Sequence, residues 1–389
     1  MKIVFRGQPL ELREEPPQAP RIVLAEEASP RFLGRVFGAL RAGAEIVLQN
    51  TRLTEAERAA QLASIAAVPP GDEPATLLFT SGTTGAPKAA RLALDNHLAN
   101  ARAAVEVLGL DASSRFLCTL PLFHVGGLAT AFRCQLCAAT LLLHERFDAA
   151  EVARALCEGA THASLVASTL ARVLDVCPAF PPTVRAVLVG GGPVPASLLE
   201  RALRAGLPVL QTYGLTETAS MATCERPGAA DGKTAGPPMP GLEVRLAGAE
   251  IEVRGPQVMR GYLGQAPVRG WFQTGDLGEV DPRGRLTVHA RRTDLIVSGG
   301  ENVYPAEIEA ALLLHPAVRE AAVLPEADAR WGQVGVAYVA TTAAESELRA
   351  FLLERLAKFK IPARFVPVSR LPRNAAGKVD RQALRRLSS

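Results

Sequence analysis

Apolar positions along this chain fall into short blocks whose spacing alternates between that of a helix and that of a strand. Phe32, Leu33, Val36, Phe37 and Leu40 recur at three- and four-residue steps, which puts them on one helical face. Ser29-Pro30 before them and Gly43 after them supply the start and the stop. Residues 68–74 are rich in Pro and Gly and read as a connector. Residues 76–79 predict a short apolar strand, and Asp95 caps a helix running to about Leu108. Residues 184–189 are a β-branched strand, Gly190, Gly191 and Gly192 turn the chain, residues 196–205 form a helix stopped by Gly206, and residues 208–213 return as a strand. A strand–helix–strand unit of this kind argues for a parallel, helix-covered sheet. Between residues 242 and 290 the pattern changes to short alternating strands (242–246, 250–253 and 285–289) separated by Gly and Pro, as in a smaller β subdomain. Strand and helix then alternate again, with helices over 305–314 and 345–356 and a strand over 320–325. The fold class expected is α/β: a large N-terminal domain, residues 1–291, of helix-covered sheets plus a small β subdomain, followed by a small α+β domain over residues 292–389.

Length and composition agree with more than one core. The chain has 389 residues, 48% apolar and 21% charged, an ordinary globular balance spread over more chain than a single core organises. The net charge of +4 is small, and the basic stretch 381–386 reads as a solvated terminal helix, so no nucleic-acid partner is expected. No apolar run approaches the roughly 20 residues that span a membrane, and Arg6 interrupts the first apolar stretch, so neither membrane insertion nor a signal peptide is expected. Six cysteines are present. Cys134 and Cys137 form one C-x-x-C pair with no second pair to complete a zinc site, and they read as reduced core residues of a cytoplasmic protein.

Candidate chemistry begins in the run Thr80-Ser81-Gly82-Thr83-Thr84-Gly85, with four hydroxyls and two glycines in six residues, followed by Lys88. Glycines let main-chain N–H groups approach an anion, the hydroxyls add donors, and the lysine adds charge. The run does not fit the spacing of a Walker A loop, and a polar surface loop is its plain alternative. Further blocks follow in order: Tyr213-Gly214-Leu215-Thr216-Glu217-Thr218, Trp271-Phe272-Gln273-Thr274-Gly275-Asp276, the segment from Arg291 to Pro305, and the segment from Pro372 to Arg381. Together these resemble the ordered signatures of the adenylate-forming superfamily, which contains acyl-CoA synthetases, luciferases and peptide-synthetase adenylation domains.

That resemblance implies ATP, Mg²⁺ and coenzyme A as cofactor and co-substrates, and a carboxylic acid as the second reactant. A carboxylate attacking the α-phosphorus brings anions together, so cations and fixed dipoles must surround the phosphates. The resemblance implies that the residues from Thr80 to Lys88 hold the outgoing phosphates, that Glu217 ligates Mg²⁺, and that Thr216 hydrogen-bonds the α-phosphate. It implies further that Asp276 takes the ribose hydroxyls with Arg291 nearby. Gly191, Gly192, Thr212, Tyr213 and Gly214 would enclose the adenine. Lys378 would bridge carboxylate and phosphate. In the family the C-terminal domain is a mobile lid that rotates between two half-reactions, and Ser298, Gly299 and Gly300 would then line the thiol tunnel. Thr293 stands where the family often has Asp or Lys at the hinge, and Ala290 stands where a Gly usually precedes Arg291. Taken singly, Glu217 also reads as a helix-starting carboxylate, Asp276 as a turn residue and Lys378 as a solvated loop lysine.

The acid is addressed by residues 121–143. Pro121-Leu122-Phe123-His124-Val125-Gly126-Gly127 resembles the stretch that gates the acyl pocket, and Arg133 is the single charge over residues 125–143. On a helix, Gly126, Thr130 and Arg133 share a stripe. An Arg in an apolar segment needs an anionic partner or a route to water. Two readings stand side by side: Arg133 binds a second substrate carboxylate, or it reaches solvent or an internal acid such as Glu145. PLFHVGG with an Arg nine residues after the His, followed by residues 161–166 and Ser164 on the pocket wall, resembles the o-succinylbenzoate–CoA ligases of menaquinone biosynthesis. His124, Gly126, Arg133 and Ser164 are the substrate-binding candidates that follow. Only 79 residues precede the glycine-rich loop, so the earliest subdomain is expected to be shortened. The expected activity is an AMP-forming acid–CoA ligase. The alternatives are a ligase for another aryl or fatty acid, and a non-catalytic homologue that binds nucleotide or acyl-adenylate. A homo-oligomer is left open.

Overall fold

The structure, a computed structural model, describes residues 1–80, 88–192, 194–291, 294–298, 301–328, 331–356, 358–374 and 379–387. The chain divides into two compact units, one of Met1–Arg245, Glu252–Gln273 and Val280–Leu286, the other of Leu246–Ile251, Thr274–Glu279 and Thr287–Ser389.

The helices of the first unit are α1 (Pro30–Arg41), α2 (Glu55–Ile65), α3 (Leu94–Leu108), α4 (Val125–Cys137), α5 (Ala149–Cys157), α6 (Ala167–Val176) and α7 (Ala196–Arg204). Its larger sheet has eight strands, in the order Ser220–Cys224, Val209–Leu215, Ala186–Val189, His162–Leu165, Arg115–Cys118, Thr140–Leu143, Lys2–Phe5 and Gln8–Glu11. The inner six are parallel, and an antiparallel strand closes each edge. The central strands are buried on both faces, which is why residues 186–189 (AVLV) are continuously apolar rather than alternating. Leu117, Leu165 and Val187 from the strands pack with Val152, Leu156, Leu170, Val173 and Ala202 from α5, α6 and α7. Each Leu or Val among them contributes about 1.5–3 kcal/mol on burial.

The second sheet of this unit runs Gly261–Tyr262, Lys88–Ala93, Ala75–Thr80, Glu45–Leu48 and Arg21–Leu24, with α1 packed on the Glu45–Leu48 strand. The α1 start is the expected one: the Ser29 hydroxyl accepts the Phe32 N–H at 3.1 Å and Pro30 opens the first turn. The start of α3 differs from expectation. The helix begins at Leu94, and the Asn96 side chain accepts the Ala93 N–H at 2.9 Å, so Asp95 lies inside the first turn instead of capping it.

A further four-stranded sheet is ordered Glu243–Ala247, Glu250–Arg254, Phe272–Val280 and Leu286–Arg291. Its Phe272–Val280 strand was not legible from pattern, because FQTGDLGEV carries two glycines and two acids and no apolar alternation.

The second unit is built on strands Glu301–Val303, Ile296–Ser298, Gly332–Thr341 and Val318–Asp328, with Arg364–Pro367 parallel to Gly332–Thr341. Helices α8 (Pro305–Leu313), α9 (Glu345–Leu353) and α10 (Arg381–Arg385) belong to it. Ile296, Ile308, Leu312, Val323, Val339, Leu348 and Leu352 form its main core.

Candidate active site

Thr80 and Lys88 end and begin two antiparallel strands and lie directly opposite each other, with the Thr80 hydroxyl 3.5 Å from the Lys88 carbonyl. They form the neck of the glycine-rich loop. Ser81, Gly82, Thr83, Thr84 and Gly85 lie outside the described residues. The Lys88 ammonium sits 5.3 Å from the ring centre of Tyr262, and the Tyr262 hydroxyl donates to Glu217 Oε1 at 2.7 Å. Cation, ring and carboxylate thus form a line from the neck of the loop to the Tyr213–Thr218 motif. Tyr262 was not singled out from sequence. It reaches the site because the Gly261–Tyr262 strand pairs with Lys88–Ala93, a register that no local pattern announces.

Glu217 lies in a single 3₁₀ turn, Thr216–Thr218, and is mostly buried. Its carboxylate is engaged by Tyr262 rather than by N–H groups of its own turn, unlike a helix-starting acid, and its carbonyl accepts the Met259 N–H at 2.8 Å. The turn then enters the left-handed region at two successive residues, Ala219 (φ 54°) and Ser220 (φ 127°). Neither is glycine, and such a conformation costs about 1–3 kcal/mol per residue unless the surroundings enforce it. The Thr218 hydroxyl faces both the Leu215 carbonyl at 3.2 Å and the Ser220 carbonyl at 2.9 Å. Gly214 faces the Ser220 carbonyl so closely that a Cβ there would collide with it.

Residues 125–137 do form a helix, α4, which carries Arg133, and Thr130 donates to the Gly126 carbonyl at 3.2 Å on the stripe the three residues share. The Arg133 side chain is 1% exposed. Its Nη2 donates to the Ser220 hydroxyl at 3.1 Å, and its Nε has no partner among the described residues. Glu145, the internal acid considered for it, instead pairs with Arg6 at 2.7 Å. The reading in which Arg133 escapes to water or pairs with Glu145 therefore fails. Its neighbours are the thiols of Cys118, Cys134 and Cys224, all pushed up by burial, Cys118 and Cys224 to about 12. Burial lowers the guanidinium to about 10, so at neutral pH it remains a buried cation among neutral groups. All six cysteines are free thiols, and Cys157 is exposed rather than in the core.

Other candidates surround this wall. Ser164 is on strand His162–Leu165, opposite Cys118 and Leu188. His124 is the residue before α4, with its ring edge-on to Phe123 at 4.9 Å. Gly190, just past strand Ala186–Val189, and Thr212, inside the adjacent strand Val209–Leu215, approach so closely that a Cβ on Gly190 would strike the Thr212 hydroxyl, and Gly191 has φ 82°. That narrow approach places Gly191 and Gly192 beside the strand that carries Thr212, Tyr213 and Gly214.

In the second unit, Asp276 is buried on strand Phe272–Val280, and its N–H donates to the Thr274 hydroxyl at 3.1 Å. It is a strand residue, which removes the turn reading. Arg291 ends strand Leu286–Arg291, and its side chain lies outside the described residues. Ser298 pairs with Glu301 across a hairpin whose tip, Gly299 and Gly300, is also outside them, as are Thr293 and Lys378. Arg373 and Val379 bridge across the Lys378 segment. Among the described residues no cluster of three or more His, Cys, Asp or Glu is arranged to hold a metal. Glu217 alone fits a cation held mainly by substrate phosphates, as Mg²⁺ is. No described helix is long and apolar enough to cross a membrane.

A glycine-rich segment joining antiparallel strands, a carboxylate aligned with the lysine at its neck, a buried arginine and a small C-terminal unit are what an adenylate-forming enzyme would need. The comparisons with known proteins agree. The model of the AMP-binding enzyme family matches residues 64–263, and that of the AMP-binding enzyme C-terminal domain matches residues 307–378. The chain belongs to the AMP-binding enzyme family. It is 43% identical over 337 residues to the 2-succinylbenzoate–CoA ligase of Bacillus velezensis, covering 81% of this chain and 69% of that one. The ligase of the same name from Bacillus subtilis is 41% identical over 335 residues, with the same coverage. The o-succinylbenzoate CoA synthetase of Bacillus subtilis in complex with the acyl-adenylate intermediate superposes with a TM-score of 0.88 at 32% identity, covering 98% of this chain and 94% of that one. The same enzyme with ATP and magnesium ion gives 0.86.

Proposed function

We propose that this chain is an o-succinylbenzoate–CoA ligase acting in the cytoplasm. The aliphatic carboxylate attacks the α-phosphorus of ATP, releasing pyrophosphate and forming an acyl-adenylate. The thiol of coenzyme A then attacks the acyl carbon and releases AMP. Residues 1–291 bind nucleotide and acid, and residues 292–389 form the lid.

The observation that carries the choice of acid is Arg133. A guanidinium withdrawn from water costs several kcal/mol unless an anion meets it, and no described carboxylate does. A substrate with two carboxylates answers this: one reacts, and the other receives the forked donors of Arg133. His124, Gly126 and Ser164 line the rest of the acid pocket in this reading. Thr80, Lys88 and the intervening loop hold the departing phosphates. Thr216 meets the α-phosphate, and Glu217 holds Mg²⁺, which supplies charge neutralisation on the phosphates. Gly191, Gly192, Thr212, Tyr213 and Gly214 flank the adenine, and Asp276 with Arg291 takes the ribose. Lys378 serves the adenylation half-reaction, and Ser298, Gly299 and Gly300 serve the thiol.

The test is pyrophosphate release over a panel of mono- and dicarboxylic acids, with and without coenzyme A. The expected result is selective turnover of o-succinylbenzoate that collapses in Arg133→Ala. An Arg133→Ala enzyme that activates o-succinylbenzoate at the parent rate would move the assignment to another aryl or fatty acid. Folded protein releasing no pyrophosphate with any acid would make it a binding homologue.

A further inference from the structure

The left-handed turn at Ala219 and Ser220 lies between Glu217 and the group that holds Arg133, and one side chain from another element grips it on both sides. Asn100 is on α3, four residues and one turn beyond Asn96, and both are buried. The Asn100 amide donates to the Thr218 carbonyl at 3.1 Å and to the Met221 carbonyl at 2.9 Å. Those carbonyls stand immediately before and after the two left-handed residues. Asn96 secures the facing segment: its amide donates to the Pro256 and Val258 carbonyls at 2.7 and 2.9 Å, and Met259 beyond them donates to the Glu217 carbonyl. The Asn100 Oδ1 has no partner among the described residues, so the residue is not there to satisfy its own acceptor. Its two donors are what the turn uses.

We infer that Asn100 is a positioning residue for acid selectivity: it clamps the Ala219–Ser220 turn, which holds the Ser220 hydroxyl on Arg133 and so sets the guanidinium relative to Glu217. This rests on the reading of Arg133 as the seat of the second carboxylate. Without the clamp, the turn relaxes toward ordinary φ, Ser220 withdraws, and Arg133 loses its only hydrogen-bond partner among the described residues. The reacting carboxylate and the nucleotide side are left where they were. The predicted signature is therefore a selective one.

The experiment compares o-succinylbenzoate with benzoylpropanoate, the same keto acid without the ring carboxylate, in wild type, Asn100→Ala, Arg133→Met and the double variant. Asn100→Ala is expected to raise KM for o-succinylbenzoate about tenfold, the value of one to two lost hydrogen bonds. KM for benzoylpropanoate and for ATP should stay within about twofold. In the Arg133→Met background the Asn100 effect should vanish. If Asn100→Ala does not accumulate as folded protein, Asn100→Ser keeps one donor and is expected to show about a threefold selective rise. An equal rise for both acids, or an Asn100 effect that persists without Arg133, would overturn the inference and leave the assignment of Arg133 intact. If Arg133→Met itself affects both acids equally, the assignment of Arg133 falls and the inference falls with it.

Discussion

A charged side chain buried as Arg133 is lowers stability, and in the proposed function it raises specificity at the same position. Replacing it with methionine removes the desolvation cost and keeps the volume. Arg133→Met is expected to lower kcat/KM for o-succinylbenzoate by about 100-fold or more, while unfolding free energy stays level or rises by about 1 kcal/mol. Steady-state kinetics and urea unfolding of the same preparation check both halves. A second residue prediction concerns His97, whose ring stacks on Phe132 at 4.5 Å and meets the Thr76 hydroxyl at 2.7 Å. Burial lowers its pKa from 6.5 to about 3, so the fold holds it neutral while the unfolded chain protonates it below 6.5. Stability is thus full above pH 6.5 and falls as pH drops toward 3, by about 2–3 kcal/mol at pH 4.5 from this residue alone. His162, lowered to about 4 by burial, acts in the same direction. A His97→Gln variant should show a flatter stability profile over that range, and a profile as steep as the parent's would refute the assignment. At this scale Arg133 was legible because a lone charge in an apolar helix is conspicuous. Asn100, Ser220 and Tyr262 were not, because their meaning lies in partners 45 to 121 residues away.

Among the elements, the strand Glu45–Leu48 shows how a charge is built into a core. Glu45 is fully buried and accepts from Arg21 of the neighbouring strand at 2.6 Å and from Arg91 at 2.8 Å, which reaches it from Lys88–Ala93, two strands away across Ala75–Thr80. Burial pushes its pKa up, yet the hydrogen bonds from Arg91 and Arg21 outweigh that and hold it below the usual carboxylate range. Its contribution is present at neutral pH and is lost as pH falls through the lowered folded value. Glu45→Gln is expected to cost about 3 kcal/mol, because the partly buried Arg21 loses its charge partner and Arg91 is left with Glu73 alone. A change below about 0.5 kcal/mol in denaturant unfolding would show that solvent already screens the triad. Element boundaries were readable where start and stop residues stand beside a clear period, as in α1. The Phe272–Val280 strand escaped for a physical reason: Gly275 stands at φ 73° and the acidic Asp276 is buried, which breaks the alternation that marks a strand.

The molecule as a whole has two compact units, and the proposed chemistry divides between two half-reactions. Lys378→Ala is expected to slow pyrophosphate release by about 100-fold or more, the scale of a lost transition-state cation, while thioester formation from supplied acyl-adenylate continues. Equal loss in both assays would remove Lys378 from a role specific to adenylation. The family could be read from five ordered motifs. The surroundings of Arg133 could not, because α3, α4 and the Ser220 turn are brought together only by the folded chain. The thiol-lined cation on α4 carries one more consequence. A protein with an uncompensated buried charge is at its least robust when alone, so its lifetime is coupled to its ligand. In the proposed function the diacid relieves that charge, and it should then protect the chain from proteolysis far more than benzoylpropanoate at equal fractional saturation, the excess being the coupling between anion and guanidinium. Turnover of the protein would then follow the supply of its own acid, with no separate sensor.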